Sequence, residues 1–89
     1  MSRWTLQLAP SAVRILARLP EGVAAAIVEF MVGPLLDAPD LVGNPLQREL
    51  EGYRSARRGA YRIIYQPDDT TRVVRVVRIE HRADVYRPR

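Results

Sequence analysis

Thirteen consecutive residues, Tyr53 to Tyr65, hold four arginines and three tyrosines. Arginine presents a planar fork of donors that matches a phosphate, and a tyrosine ring offers a base a flat surface to stack on. Further along, His81, Arg82 and Tyr86 fall close together in the chain. These residue types describe a phosphodiester chemistry that uses no metal. Breaking an RNA chain through its own 2′-hydroxyl needs a proton acceptor for that hydroxyl, positive charge beside the crowded phosphorane, and a proton donor for the departing 5′-oxygen. Histidine titrates near neutral pH, which makes His81 a candidate for proton transfer. Arg62 and Arg82 are candidates for holding the developing charge, and Tyr86 is a candidate base or acid if neighbouring arginines lower its pKa. Each has a plainer alternative. His81 can cap a strand end, Tyr86 can anchor the tail to the core, and Arg72, Arg75 and Arg78 can be solvent-facing strand charges. The whole Tyr53–Tyr65 run can equally be a basic edge that guards a sheet against aggregation.

Other chemistries lack their residues. One histidine and no cysteine leave only scattered carboxylates, so no transition-metal site and no thiolate chemistry is expected. There is no Gly-rich phosphate loop or dinucleotide fingerprint. Ser2, Ser11 and Ser55 have no histidine nearby in sequence and no nucleophile elbow around them. No cofactor is implied. Charge is unevenly divided. Residues 1–53 carry four arginines against six acids, a balance of −2, and residues 54–89 carry ten against four, a balance of +6. Such segregation is the footprint of a surface for a polyanion or an acidic protein. Every basic residue is arginine, with abundant Ala, Val and Pro, a bias that a GC-rich genome also produces, so the choice of arginine over lysine carries no weight.

Positioning these groups falls to a chain of 89 residues, expected to form a single domain over 1–89. Its N-terminus shows no signal-peptide pattern and no apolar run approaches a bilayer span, so a soluble, cytoplasmic protein is expected. Trp4, Leu6 and Leu8 alternate with polar residues, which predicts a half-buried strand. Pro10 and Ser11 mark a helix start, with Ser11 able to cap, and Leu19-Pro20 ends that helix. Glu21 opens a second helix whose apolar positions run to Leu36, with Gly33-Pro34 weakening its last turn. Pro39, Gly43, Asn44 and Pro45 make 37–47 a loop. Two strands follow, joined at Gly59, and Tyr61, Ile63 and Tyr65 alternate with Arg62, Ile64 and Gln66. Residues 67–70 read as a turn. The run 71–79 is the strongest strand signal, with Val73, Val77 and Ile79 on one face and Val74 and Val76 on the other, the mark of a central strand. The sum is an α+β domain: an N-terminal strand, a two-helix hairpin, then a three-stranded antiparallel meander in a small curled sheet. The helices lie on one face and a short C-terminal tail follows. The other face would carry the arginines and tyrosines.

Three segments, Leu50-Glu51-Gly52-Tyr53, Arg57-Arg58-Gly59-Ala60-Tyr61-Arg62-Ile63-Ile64-Tyr65 and His81-Arg82-Ala83-Asp84-Val85-Tyr86-Arg87, resemble the RelE/ParE toxin superfamily, closer to its RelE branch. Arg18-Leu19-Pro20 and the loop from Pro39 through Gly43-Asn44-Pro45-Leu46 also match, so the resemblance covers nearly the whole chain. It implies the toxin of a type II toxin–antitoxin pair, an endoribonuclease (mRNA interferase) that cuts messenger RNA in the ribosomal A site. By position, Arg62 matches the family arginine that stabilises the transition state. Arg82 and Tyr86 match the C-terminal arginine and tyrosine of acid–base work, and His81 stands where some relatives use histidine. Arg54, Arg57 and Arg58 match an RNA-holding strand, to which the reading of the residues adds Tyr61 and Arg78. The lysines of several relatives are absent, and Glu80 stands where some have a basic residue. A cognate antitoxin is the expected partner in a hetero-oligomer, its acidic amphipathic helix laid on the basic surface. The alternatives are a ParE-like, non-enzymatic inhibitor of DNA gyrase, against which the His81-Arg82…Tyr86 tail argues, and a non-toxic binding module for an acidic protein.

Overall fold

The computed structural model describes residues 4–81. The alternation at the start of the chain becomes strand β1 (Thr5–Leu8), with Leu6 and Leu8 packed on the core and Thr5 and Gln7 exposed. Helix α1 (Pro10–Arg18) begins on Pro10, whose missing N–H is one the first helical turn leaves unpaired anyway. Ser11 does not cap it. Its Oγ instead donates to the carbonyl of Val77, 2.6 Å away, and ties the helix to the far end of the chain.

Helix α2 (Glu21–Val32) stops before Gly33, and two single-turn helices follow, α3 (Pro34–Asp37) and α4 (Pro39–Val42). The expected loop over 37–47 is therefore more regular than its Pro content implied. Pro34 and Pro39 each occupy a first helical position, where proline starts a turn rather than forbidding one. Strand β2 (Asn44–Pro45), a 3₁₀ turn at Arg48–Leu50, and strands β3 (Arg54–Arg58), β4 (Tyr61–Asp68) and β5 (Val73–His81) complete the described chain.

The sheet runs in the order β1-β5-β4-β3-β2. β3, β4 and β5 form the expected antiparallel meander, and β1 joins β5 in parallel, so the strongly apolar β5 is an interior strand. The turn expected at 67–70 lies further on. Pro67 sits inside β4 opposite Val74, beyond the point where β3 stops pairing, so no third strand needs its missing N–H. The turn proper is held by Asp68, whose Oδ1 accepts from the N–H groups of Thr70 (2.9 Å) and Thr71 (3.3 Å), while Arg72 N–H donates to the Asp68 carbonyl at 2.8 Å.

One irregularity changes which side chains face which way. Ile64 pairs with Arg78 but Tyr65 with Val76, so Val77 is an extra residue, a β-bulge in β5. Strict alternation would put Ile79 opposite in facing to Val76; the bulge brings Val74, Val76 and Ile79 to one side, and all three are buried. They join Ala12, Ile27, Met31, Leu35, Leu36, Ala56, Ile63 and Tyr65 in the core between helices and sheet. The helical layer thus covers one face. The other face carries Arg57, Arg62, Gln66, Arg75 and Arg78 by register.

Candidate nucleic-acid interface

The hairpin of β3 and β4 turns at Gly59, which takes the positive φ (61°) that a two-residue turn demands at its first central position. That turn sets the register, and the register places the arginines. Arg57 lies directly opposite Arg62, and on the next strand Arg62 lies opposite Glu80. One step along, Ser55, Ile64 and Arg78 form a second row; one further, Gln66 lies beside Arg75. Directly opposed side chains on neighbouring strands have Cβ atoms about 5 Å apart. Arg57 and Arg62 thus bring like charges together on the face opposite the helices, an arrangement unfavourable alone and relieved by an anion between them. Arg78 donates from Nη1 to Glu80 Oε2 at 3.1 Å; the Arg78 side chain is 64% exposed and that of Glu80 only 24%.

The other expected contacts divide differently. Arg58 pairs with Tyr61 and Tyr61 with His81, a row one residue out of step with Arg57, Arg62 and Glu80 and hence on the side of the helices. The rings of Tyr61 and His81 meet edge to face, centroids 5.0 Å apart at 88°. Arg58 and Tyr61 line a shallow, mainly apolar groove of about 310 Å³ against Val23, Ala26 and Ile27 of α2. His81 and Arg62 therefore do not share a surface, although both stand near the same end of the meander.

Arg54 also points to the helical side. It is half-buried opposite Tyr65 and donates to the carbonyl of Gly43. Around it a small polar network closes the sheet edge. The buried Tyr65 hydroxyl donates to the Pro39 carbonyl (2.8 Å) and accepts from the Gly43 N–H (3.1 Å). A Cβ on Gly43 would stand 2.7 Å from both the Ser55 carbonyl oxygen and the Tyr65 hydroxyl, so only glycine fits there. Arg54 thus holds the Gly43 segment against β3. Arg72 is likewise committed, its guanidinium 4.2 Å from the centre of the Trp4 ring.

Of the residues singled out from the sequence, Arg57, Arg62 and Arg78 come together on the open face; Arg58, Tyr61 and His81 collect on the other side of the sheet's end. Arg82 and Tyr86 lie outside the described residues. In sequence Glu80 stands out only as a departure from the family pattern; the structure places it opposite Arg62. Counting outward from Gly59-Ala60 gives the Arg57–Arg62 pair from sequence alone; the Arg62–Glu80 pair needs the bulge. Among the described residues no group of three or more His, Asp or Glu is placed to hold a metal ion, and no helix is long and apolar enough to cross a membrane.

Residues 4–86 match the sequence profile of the ParE toxin of the type II toxin–antitoxin system parDE. The chain is 48% identical over 84 residues to Toxin RelG of Mycobacterium tuberculosis, covering 94% of this chain and 97% of that protein. It is 51% identical over 77 residues to Toxin RelE of the same organism, covering 86% of this chain and 79% of that protein. The crystal structure of the toxin–antitoxin complex RelBE2 from M. tuberculosis contains a chain similar at 46% identity with a TM-score of 0.84, over 89% of this chain and 98% of that one. The intact E. coli RelBE toxin–antitoxin complex shares the fold at 22% identity and a TM-score of 0.74, over 88% and 95% of the respective chains.

Proposed function

The chain belongs to the RelE/ParE superfamily, as a toxin of a type II toxin–antitoxin system, and from that membership we propose that it is an endoribonuclease that cuts messenger RNA in the ribosomal A site. The observation that carries this reading is the cluster of guanidinium groups on the sheet face opposite the helices, with Arg62 on an interior strand, Arg57 beside it in the same row and Arg78 in the next. A phosphodiester laid along that row exchanges arginine–arginine repulsion for charge-assisted hydrogen bonds. As the 2′-oxygen attacks phosphorus, negative charge grows on the phosphorane oxygens, and Arg62, held by strands on both sides, stabilises it without reorganising. The products are a 2′,3′-cyclic phosphate and a free 5′-hydroxyl. Proton donation to the departing 5′-oxygen is proposed for Tyr86, which the family resemblance puts in acid–base work; His81 is turned toward the helices, away from a phosphate on Arg62. The proposed cleavage is metal-independent and draws only on side chains of this chain.

Arg57 and Arg78 hold the RNA backbone. Arg54, Arg58 and Tyr61 serve RNA at most from the rim, since their register turns them toward the helices. A cognate antitoxin with an acidic segment is the partner, masking the arginine face and drawn to it electrostatically. Relatives near 50% identity are named RelE and RelG, which favours RNA cleavage over the gyrase-inhibitor alternative. The test is incubation of the purified chain with ribosomes carrying a defined message, followed by mapping of 5′ ends. Cleavage within the A-site codon is expected, and Arg62→Ala should slow it by about 10²–10³-fold. Intact message with the toxin bound would reject the reading.

A further inference from the structure

Attack by a 2′-hydroxyl needs a group that takes its proton, and arginine has no lone pair to offer. Among the described strand residues on the open face, the only carboxylates are Glu80 and Asp68. Asp68 stands six residues from Arg62 along β4, about 20 Å away. Glu80 is the direct cross-strand partner of Arg62. His81 belongs to the row of Tyr61 and the helices, so it cannot meet a phosphate on Arg62 from the same surface. Building on the ribonuclease reading, we propose that Glu80 is the proton acceptor of the reaction.

The geometry supplies what this role needs. Glu80 is anchored on an interior strand, three-quarters buried at the side chain, and oriented by the hydrogen bond from Arg78. Arg57 from β3 and Arg62 from β4 face it from the neighbouring strands, and Arg78 from its own. In the free protein Glu80 occupies Arg78. A bound phosphate competes for the same guanidinium, so substrate binding releases a carboxylate oxygen beside the sugar. The 2′ proton then passes to Glu80 as the 2′-oxygen–phosphorus bond forms and the phosphorus–5′-oxygen bond breaks. The 5′-oxygen takes a proton from water or a nearby acid, and Glu80 returns its own to solvent before the next turnover.

Single-turnover cleavage of ribosome-bound message by the full chain, Glu80→Gln and Glu80→Ala, with and without added formate, tests this. Gln keeps an acceptor for Arg78 but is no base. Cleavage by E80Q should fall about 10²–10⁴-fold, with binding to the programmed ribosome unchanged or tighter because a negative charge among arginines is gone. Formate should restore cleavage by E80A in proportion to its concentration, and leave E80Q slow. E80Q cutting as fast as the parent chain overturns the proposal, as does loss of binding or an E80A that formate does not revive, which would mark Glu80 as a positioning residue. A parent chain that leaves bound message intact sinks the ribonuclease reading, and the role of Glu80 with it.

Discussion

At the level of single residues, the arginines separate into those that hold the fold and those that face outward, and their positions decide which. Arg54 donates to the Gly43 carbonyl and sits beside the Tyr65 hydroxyl, which is itself fully engaged with Pro39 and Gly43. Removing that hydroxyl leaves a buried carbonyl and a buried N–H without their partner, a penalty of about 1–3 kcal/mol. Tyr65→Phe should therefore lower the urea midpoint by that amount of stability while leaving the slope of the unfolding transition unchanged. Arg54→Ala should also destabilise, since the Gly43 carbonyl loses its donor. The sequence showed Tyr65 only as one of three tyrosines in an arginine-rich run. Nothing local distinguishes it from Tyr61, because its partners lie 22 and 26 positions away. Periodicity did reveal that Tyr61, Ile63 and Tyr65 share a face, and that face proved to be the covered one.

At the level of elements, the meander was legible because it is built from local signals: an alternating pattern, a Gly turn, and a valine-rich run of strand length. The parallel placement of β1 beside β5 was not legible, since it joins residues nearly seventy positions apart. The bulge was hidden for a similar reason. A run such as Val73-Val74-Arg75-Val76-Val77-Arg78-Ile79 is compatible with an extra residue at several points, and only docking against helix and neighbouring strand chooses Val77. Ser11 marks that choice, because its hydroxyl takes the Val77 carbonyl at 2.6 Å. Ser11→Ala should cost about 1 kcal/mol, the net worth of one hydrogen bond. It should also raise amide hydrogen exchange around residues 76–78 more than in β3, since it frees the bulge without touching the hairpin. Uniform loosening of all strands would contradict the role assigned to Ser11.

Over the whole molecule, the charge imbalance along the chain becomes an imbalance between layers. The acid-rich first half supplies β1, the helices and the short β2, while the arginine-rich second half supplies the strands of the meander and so the arginines on the face opposite the helices. Affinity for a polyanion should then depend on salt through the outward arginines alone. For single-stranded nucleic acid each neutralised phosphate contributes about 0.7 to the slope of log affinity against log salt. Binding of an uncleavable, 2′-O-methylated RNA oligonucleotide, titrated over a range of salt concentrations, measures that slope. Arg57→Ala and Arg78→Ala should each flatten it by about 0.7, and the double variant by about twice as much if the contacts are independent. Arg72→Ala should leave the slope as it was, because its guanidinium lies over Trp4, and Arg54→Ala should do the same at temperatures where it remains folded. If Arg54 and Arg72 flattened the slope as much as Arg57 and Arg78, RNA would be following the net charge of the chain rather than the open face of its sheet. The row centred on Arg62 would then have no special claim to the phosphate.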